Sequence, residues 1–255
     1  MRIITANLNG IRSAAQKGFF DWFGAQQADM VCVQEVRAQR SDIAPECLTP
    51  HGYHSYFHLA DKRGYSGVGI YTRHPPDAYL SGFGNPEFDA EGRYVEARYG
   101  NLSVISVYFP SGSSSERRQE AKYRFMRALM PHLIELKKQR EVILCGDINI
   151  AHQEIDIKNW RGNLKNSGFL PDERAWLTQL FDEVGYVDVF RRLDPRPDQY
   201  TWWSNRGQAY AKNVGWRIDY QIATPALAAR ALRTTLFKDI KFSDHAPLIV
   251  DYSRL

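Results

Sequence analysis

The sequence predicts a layered α/β domain, and three observations carry that expectation. Short β-branched runs bounded by turn residues are too brief for helices, stretches of helical periodicity lie between them, and no linker, charge block or low-complexity segment divides the 255 residues. A chain of that length can bury a full core as one unit, so residues 1–255 are expected to form a single domain.

The strands expected are 30–33, 68–72, 142–145 and 247–252, each rich in Val, Ile or Cys. Segments 93–99 and 102–108 flank Gly100-Asn101, a pair suited to the positive φ angles of a two-residue hairpin turn. Helical spacing joins Phe19, Phe20, Trp22 and Phe23 in one stretch, and Phe125, Met126, Leu129, Met130, Leu133 and Ile134 in a second, where Pro131 is expected to kink the helix. Trp176, Leu177, Leu180, Phe181 and Val184 form a third. The segment 111–115, rich in serine, is expected to be a loop.

Composition narrows the class. Apolar residues make up 44% and charged residues 24%, and no apolar run approaches the roughly 20 residues that span a bilayer, so no membrane span is expected. The first residues turn polar too soon for a signal peptide, which points to a cytoplasmic protein. Cys32, Cys47 and Cys145 show no zinc-like spacing and read as reduced thiols. A net charge of +4 is too mild for a protein that coats nucleic acid indiscriminately. Basic residues cluster locally instead: Lys158, Arg161 and Lys165 near Trp160, and Arg206, Lys212 and Arg217 near Trp202, Trp203 and Trp216.

A weak internal echo points to the chemistry. One apolar strand ends in Asn7-Leu8-Asn9 and another in Asp147-Ile148-Asn149, and residues two apart on a strand face the same side. Such pairs are either turn formers or site residues. Glu35, Asp219, Asp244 and His245 are likewise polar residues set in apolar or aromatic surroundings. In the segment 218–222, alternation puts Ile218, Tyr220 and Ile222 on one face and Asp219 with Gln221 on the other. Singly, each polar residue has a structural explanation as a cap, a turn or a helix-terminal acid. As a set they are hard oxygen donors suited to Mg2+ or Mn2+, with no Cys or multi-His group for zinc.

Ordered motifs sharpen this. Asn-Leu-Asn-Gly-Ile-Arg at 7–12, Gln-Glu at 34–35, Gly-Tyr-Ser-Gly-Val at 64–68, Val-Tyr-Phe-Pro at 107–110, Cys-Gly-Asp-Ile-Asn-Ile-Ala-His at 145–152, Asn-Val-Gly-Trp-Arg-Ile-Asp-Tyr at 213–220 and Ser-Asp-His-Ala-Pro at 243–247 follow one another along the chain. With them the sequence resembles the exonuclease III family of abasic-site endonucleases. The resemblance implies a four-layer α/β sandwich of two mixed sheets with helices outside, and hydrolysis of the phosphodiester 5′ to an abasic site. It also implies 3′ exonuclease or 3′-phosphatase activity on blocked 3′ ends of double-stranded DNA. The protein is expected to act as a monomer.

By position, Glu35 looks like the main metal ligand, with Asn7 and Asp244 nearby and Asp147 and Asn149 available to a second ion. Asp147, Asn149 and Tyr108 would contact the attacked phosphate or the water, and Asp219 would orient His245. Trp202, Trp216 and Ile218 match a pocket for the base-free sugar, while Asn163, Asn166 and Arg217 would contact DNA. Trp203 is assigned mainly to the core, and His152 and Asp156 to structural roles. Ser111 departs from the Asn or Gln usual in the family, a shorter side chain at the phosphate. Two other classes fit the fold: a non-catalytic nucleic-acid-binding regulator, and a phosphatase for small substrates.

Overall fold

The computed structural model describes residues 1–253. Two six-stranded sheets pack face to face. The first has the order β13 (Ala231–Leu236), β14 (Leu248–Tyr252), β1 (Arg2–Asn7), β2 (Met30–Gln34), β4 (Val68–Thr72), β3 (His54–His58). The second has the order β5 (Ala78–Ser81), β6 (Tyr94–Tyr99), β7 (Leu102–Tyr108), β8 (Glu141–Asp147), β12 (Asp219–Ala223), β9 (Val187–Asp188). A short ladder of β10 (Trp202–Trp203) with β11 (Gly215–Trp216) joins the segment before β14 through a bridge from Trp202 to His245. Both sheets are mixed: β1 runs parallel to β2 and β7 parallel to β8, and the other pairs are antiparallel.

Cys32, Ile70 and Val250 of the first sheet meet Val95, Val104, Ile143 and Cys145 of the second in the central core. Helix Phe19–Gln26 covers the far face of the first sheet, with Phe19, Trp22 and Phe23 against Ile4, Val31 and Tyr71. Helix Glu116–Gln139 covers the second, with Phe125, Leu129 and Leu133 against Ile105, Leu144 and Ile222. These are the four layers of the α/β sandwich. Strands buried on both faces read as unbroken apolar runs, which is why the 142–145 segment showed no alternation.

The hairpin register pairs Tyr99 with Leu102, and Gly100 supplies a φ of 49° at the turn. Helix Glu116–Gln139 stays continuous through Pro131, whose ring lies on the exposed side. The third helical pattern divides into Pro171–Thr178 and a π-helical turn Gln179–Glu183.

The echo seen in the sequence is an echo of topology. β1 and β8 occupy corresponding places: each has one parallel partner, and each has an antiparallel neighbour, β14 or β12, on its other side. Their ends meet across the interface, where Asn7 Nδ2 lies 2.9 Å from Asp147 Oδ2.

Candidate active site

Where β1 and β8 stop, the chain turns twice in the same way. The Asn7 side-chain oxygen accepts the Asn9 N–H at 2.9 Å, and Asp147 Oδ1 accepts the Asn149 N–H at 2.9 Å. Asn9 and Asn149 take left-handed backbones, with φ of 45° and 56°. Asn tolerates that conformation, and the side chain two residues earlier supplies the closing hydrogen bond. Both meanings of the motif hold together: these residues form the turns, and the turns aim them into the cleft.

The cleft has a volume of about 790 Å³. It gathers Glu35, Tyr108, Asp147 with Asn149, and Asp244 with His245 from four separate parts of the chain, with Trp202, Trp216, Ile218 and Asn166 on its walls. Asn7 and Asp219 stand directly behind, Asn7 bonded to Glu35 and Asp147, Asp219 bonded to His245. Asn163 lines a neighbouring groove beside Trp202 and Trp216.

Glu35 follows β2 with a φ of 49°, uncommon for a residue of its kind and of the sort that collects at functional sites. Backbone bonds from Val36 N–H to Gly67 O and from Arg37 N–H to Ser66 O hold that bend. Asn7 Nδ2 bridges Glu35 Oε1 at 2.8 Å and Asp147 Oδ2 at 2.9 Å. Its oxygen is taken by Asn9 N–H, which fixes the orientation of the amide. Asn7 therefore donates to both carboxylates and holds them together, while its oxygen, expected as a metal ligand, accepts from Asn9 N–H. The Arg37 guanidinium pairs with the other oxygen of Glu35.

His245 Nδ1 lies 2.9 Å from Asp219 Oδ2, and Nε2 lies 3.9 Å from Asp147 Oδ2. Burial disfavours the imidazolium, but Asp219, Asp147 and Asp244 outweigh it and push the His245 pKa up to about 10. Asp147 moves in the raised direction too, to about 8, through burial and the charges of Asp219 and Glu35, against the pull of His245 and the Asn149 N–H. Tyr108 is raised well above a phenol's usual range by burial and by Glu35 and Asp147, so it stays a neutral donor. Asp244 accepts from Asn9 Nδ2 at 2.7 Å and from Trp202 Nε1 at 3.1 Å.

Glu35, Asp147 and His245 offer ligand atoms within 4.8 Å of one another, a spacing that a single cation can span. A charged imidazole with Asp219 on its far nitrogen has no lone pair to give. The donors that remain are carboxylate oxygens, the set that fits a hard divalent cation.

Trp202 and Trp216 face each other across the short ladder, ring centroids 6.1 Å apart and nearly perpendicular, and Ile218 packs beside them. Trp203 is buried with Tyr200, Ala209 and Ala246, as expected of a core residue. His152 lies outside the cleft, bonded to Thr178 and packed on Phe181.

Arg217 corrects the expectation that it meets DNA. It is 0% exposed, and its guanidinium is held by Asp156 at 2.7 Å and Asp188 at 2.6 Å. Strand alternation was the available signal: with Trp216 and Ile218 facing the cleft, the residue between them must face away. Arg37 and Gln119 also line the cleft and are not among the residues the sequence singles out, whereas Lys165, on the same wall, belongs to the basic cluster near Trp160. Arg37 stands two residues from Glu35, but only the left-handed backbone at both positions turns it back onto that carboxylate.

Residues 4–245 match the endonuclease/exonuclease/phosphatase family. The chain is 37% identical to an exodeoxyribonuclease of Bacillus subtilis over 97% of its own length and 98% of the relative's. It is 36% identical to the DNA repair nuclease APEX1 of Danio rerio, over 97% of this chain and 81% of that one. An AP endonuclease structure from Archaeoglobus fulgidus superposes with a TM-score of 0.91 at 26% identity, covering 100% of both chains. The fold, the cleft and these matches agree, and the chain belongs to the endonuclease/exonuclease/phosphatase family.

Proposed function

We propose that this chain is a DNA-repair nuclease that uses a divalent cation, Mg2+ or Mn2+, to hydrolyse the phosphodiester 5′ to an abasic site in double-stranded DNA. The observation that carries this reading is the convergence of Glu35, Asp147 and the Asp219–His245 pair in one cleft walled by Trp202, Trp216 and Ile218. A cation held by Glu35 and Asp147 supplies Lewis-acid stabilisation to the charge that gathers on the phosphoryl oxygens.

The chain's own groups supply the rest. His245, kept cationic by Asp219, donates from Nε2 to a phosphoryl oxygen, an interaction that strengthens as negative charge accumulates. Tyr108, a neutral phenol in the cleft, is a second donor to that phosphate. Asp147, 3.9 Å from His245 Nε2 and bridged to Glu35 through Asn7, is the carboxylate placed to serve the attacking water or the leaving oxygen. Asn149 Nδ2 donates to Phe109 O and to Asp147 Oδ2, so it orients Asp147.

An abasic nucleotide has neither stacking nor pairing to lose, so turning it out of the duplex costs less than the few kcal/mol an intact nucleotide requires. The two tryptophans and Ile218 form an apolar slot that suits a bare sugar, which favours DNA over small phosphates. Asn163, Asn166 and Lys165 contact the strand's backbone beside it. The same site accepts blocked 3′ ends, and the protein acts as a monomer.

The test is Mg2+-dependent nicking of a duplex with one abasic analogue, run beside recessed and 3′-phosphate ends. Asp147→Asn is expected to slow nicking by at least about 10²-fold. No nicking by the wild type, or equal nicking by Asp147→Asn, overturns the proposal.

A further inference from the structure

A second ionic cluster lies beneath the cleft, apart from the groups assigned to the reaction. Lys122, on helix Glu116–Gln139, and Glu173, in the first turn of helix Pro171–Thr178, have side chains 0% exposed and paired at 2.6 Å. Lys122 Nζ also donates to the Asn149 carbonyl at 2.7 Å. Glu173 Oε2 accepts the N–H groups of Gly168 and Leu170 at 2.6 and 3.1 Å. Glu173 Oε1 accepts from Gln119 Nε2 at 3.0 Å and from the Ser167 hydroxyl at 3.3 Å. Through one buried pair, the catalytic turn at Asn149 and the wall at 167–170 are tied to the same support.

The junction has no slack. Gly168 has a φ of 95°, and a Cβ on it would stand 2.9 Å from the Trp216 ring and 3.2 Å from the Asn149 carbonyl oxygen. Its own carbonyl accepts the Ala151 N–H at 2.8 Å. A buried ion pair adds little net stability over apolar residues of the same volume, because desolvation offsets the attraction. What it adds is direction, since each of its bonds fixes a particular donor or acceptor.

We propose that Lys122 and Glu173 are positioning residues, which lock the 167–170 wall against the Asn149 turn so that a strand lying on that wall is presented to Asp147 at reacting distance. The inference rests on the nuclease reading of the cleft. A displacement of about 1 Å at a reacting centre can cost on the order of 10²-fold in rate, so a loosened support is expressed in the chemical step more than in binding.

Glu173→Gln keeps the volume and an acceptor for Lys122, but presents an N–H group where Gly168 and Leu170 donate. The double variant Lys122→Met/Glu173→Gln removes both charges together. The experiment measures single-turnover nicking of a duplex with one abasic analogue in Mg2+. Rates are taken per binding site, with sites counted by stoichiometric titration of the same duplex in EDTA. Both variants are expected to bind within threefold of the wild type and to nick at least tenfold more slowly per site. A rate per site within threefold of wild type in either variant overturns the proposal. So does rapid exchange of the Gly168 and Leu170 amide protons in the folded wild type, a measurement that needs no variant. A wild type that nicks nothing removes the nuclease reading and this inference with it, whereas a fully active wild type beside equally fast variants removes the inference alone.

Discussion

The charge on His245 is decided by its neighbours against its burial. Desolvation alone would leave a buried imidazole neutral, yet Asp219 at 2.9 Å, with Asp147 and Asp244 beyond it, holds the proton up to a pH of about 10. A pKa raised on folding stabilises the native state fully below the ordinary imidazole value near 6.5, and that contribution fades as pH climbs through the folded value. Activity that needs the imidazolium should follow the same alkaline limit. Asp219→Asn leaves burial opposed only by the weaker charges, so the alkaline limb of the kcat/KM profile should move down by more than about one pH unit. The His245 ring resonances should titrate in step with it. An unmoved limb, or an imidazole that still titrates near 10, would show that Asp219 is not what holds the proton. His245→Ala should cost on the order of 10²- to 10⁴-fold in rate at neutral pH, with duplex binding in EDTA largely retained. Asp147, Asp219 and His245 were legible from their motifs because their types and order carry the chemistry. The part played by Asn7 was not, because which end of an amide faces a carboxylate depends on a backbone N–H that only the folded turn supplies.

At the scale of elements, the segment from β11 to β12 shows how a buried charge serves an exposed site. Arg217 faces inward between Trp216 and Ile218, stacks near Tyr220 and Phe190, and holds Asp156 and Asp188 from adjoining segments. Asp156 resists burial and keeps a carboxyl pKa of about 2 through Arg217 and Arg191. Its contribution to stability is present above the ordinary value near 3.9 and is lost as pH falls through the folded value. Arg217→Met leaves Asp156 with Arg191 as its one guanidinium partner and Asp188 with none, and the expected loss is about 3–5 kcal/mol in urea unfolding. A loss below about 1 kcal/mol would mean that the carboxylates find water or other partners. The sequence led elsewhere here because a cluster of basic and aromatic residues says nothing of which face each takes, and alternation had to be applied one residue further. Pro131 teaches the reverse: its exposed place lets helix Glu116–Gln139 continue despite a missing N–H. Pro131→Ala restores that donor, and the gain of about 3 kcal/mol in helix preference exceeds the roughly 0.4–1 kcal/mol of chain entropy that the ring withholds from the unfolded state. A net rise of about 2 kcal/mol is expected, and a fall in the urea midpoint would show that the ring packs to better effect than its backbone costs.

For the whole molecule, the choice between a sandwich of two mixed sheets and one doubly wound sheet was beyond alternation of strands and helices, because both folds bury their strands under helices. The difference lies in long-range pairing: β1 with β14 and β8 with β12 bring segments far apart in the chain together, and local pattern does not encode such partners. That pairing also makes the site a joint between the sheets. Glu35 follows a strand of the first and Asp147 ends a strand of the second, and a cation bound to both would tie the two sheets together beyond the bridge that Asn7 already makes. A cation bound to both should therefore raise the stability of the entire fold. At a concentration 100 times its dissociation constant the linkage amounts to about 2.7 kcal/mol, which for a chain of this size is a Tm increase on the order of 5 °C or more. Thermal unfolding with Mg2+ and then with excess EDTA should show that increase and its reversal, and Glu35→Gln should abolish the response while leaving the chelated Tm near or above that of the wild type. If Mg2+ leaves the wild-type Tm unchanged at millimolar concentration, or raises the Tm of Glu35→Gln equally, the cation does not bridge the two strand ends, and its place must be sought among Asn9 and Asp244 on the far wall of the cleft.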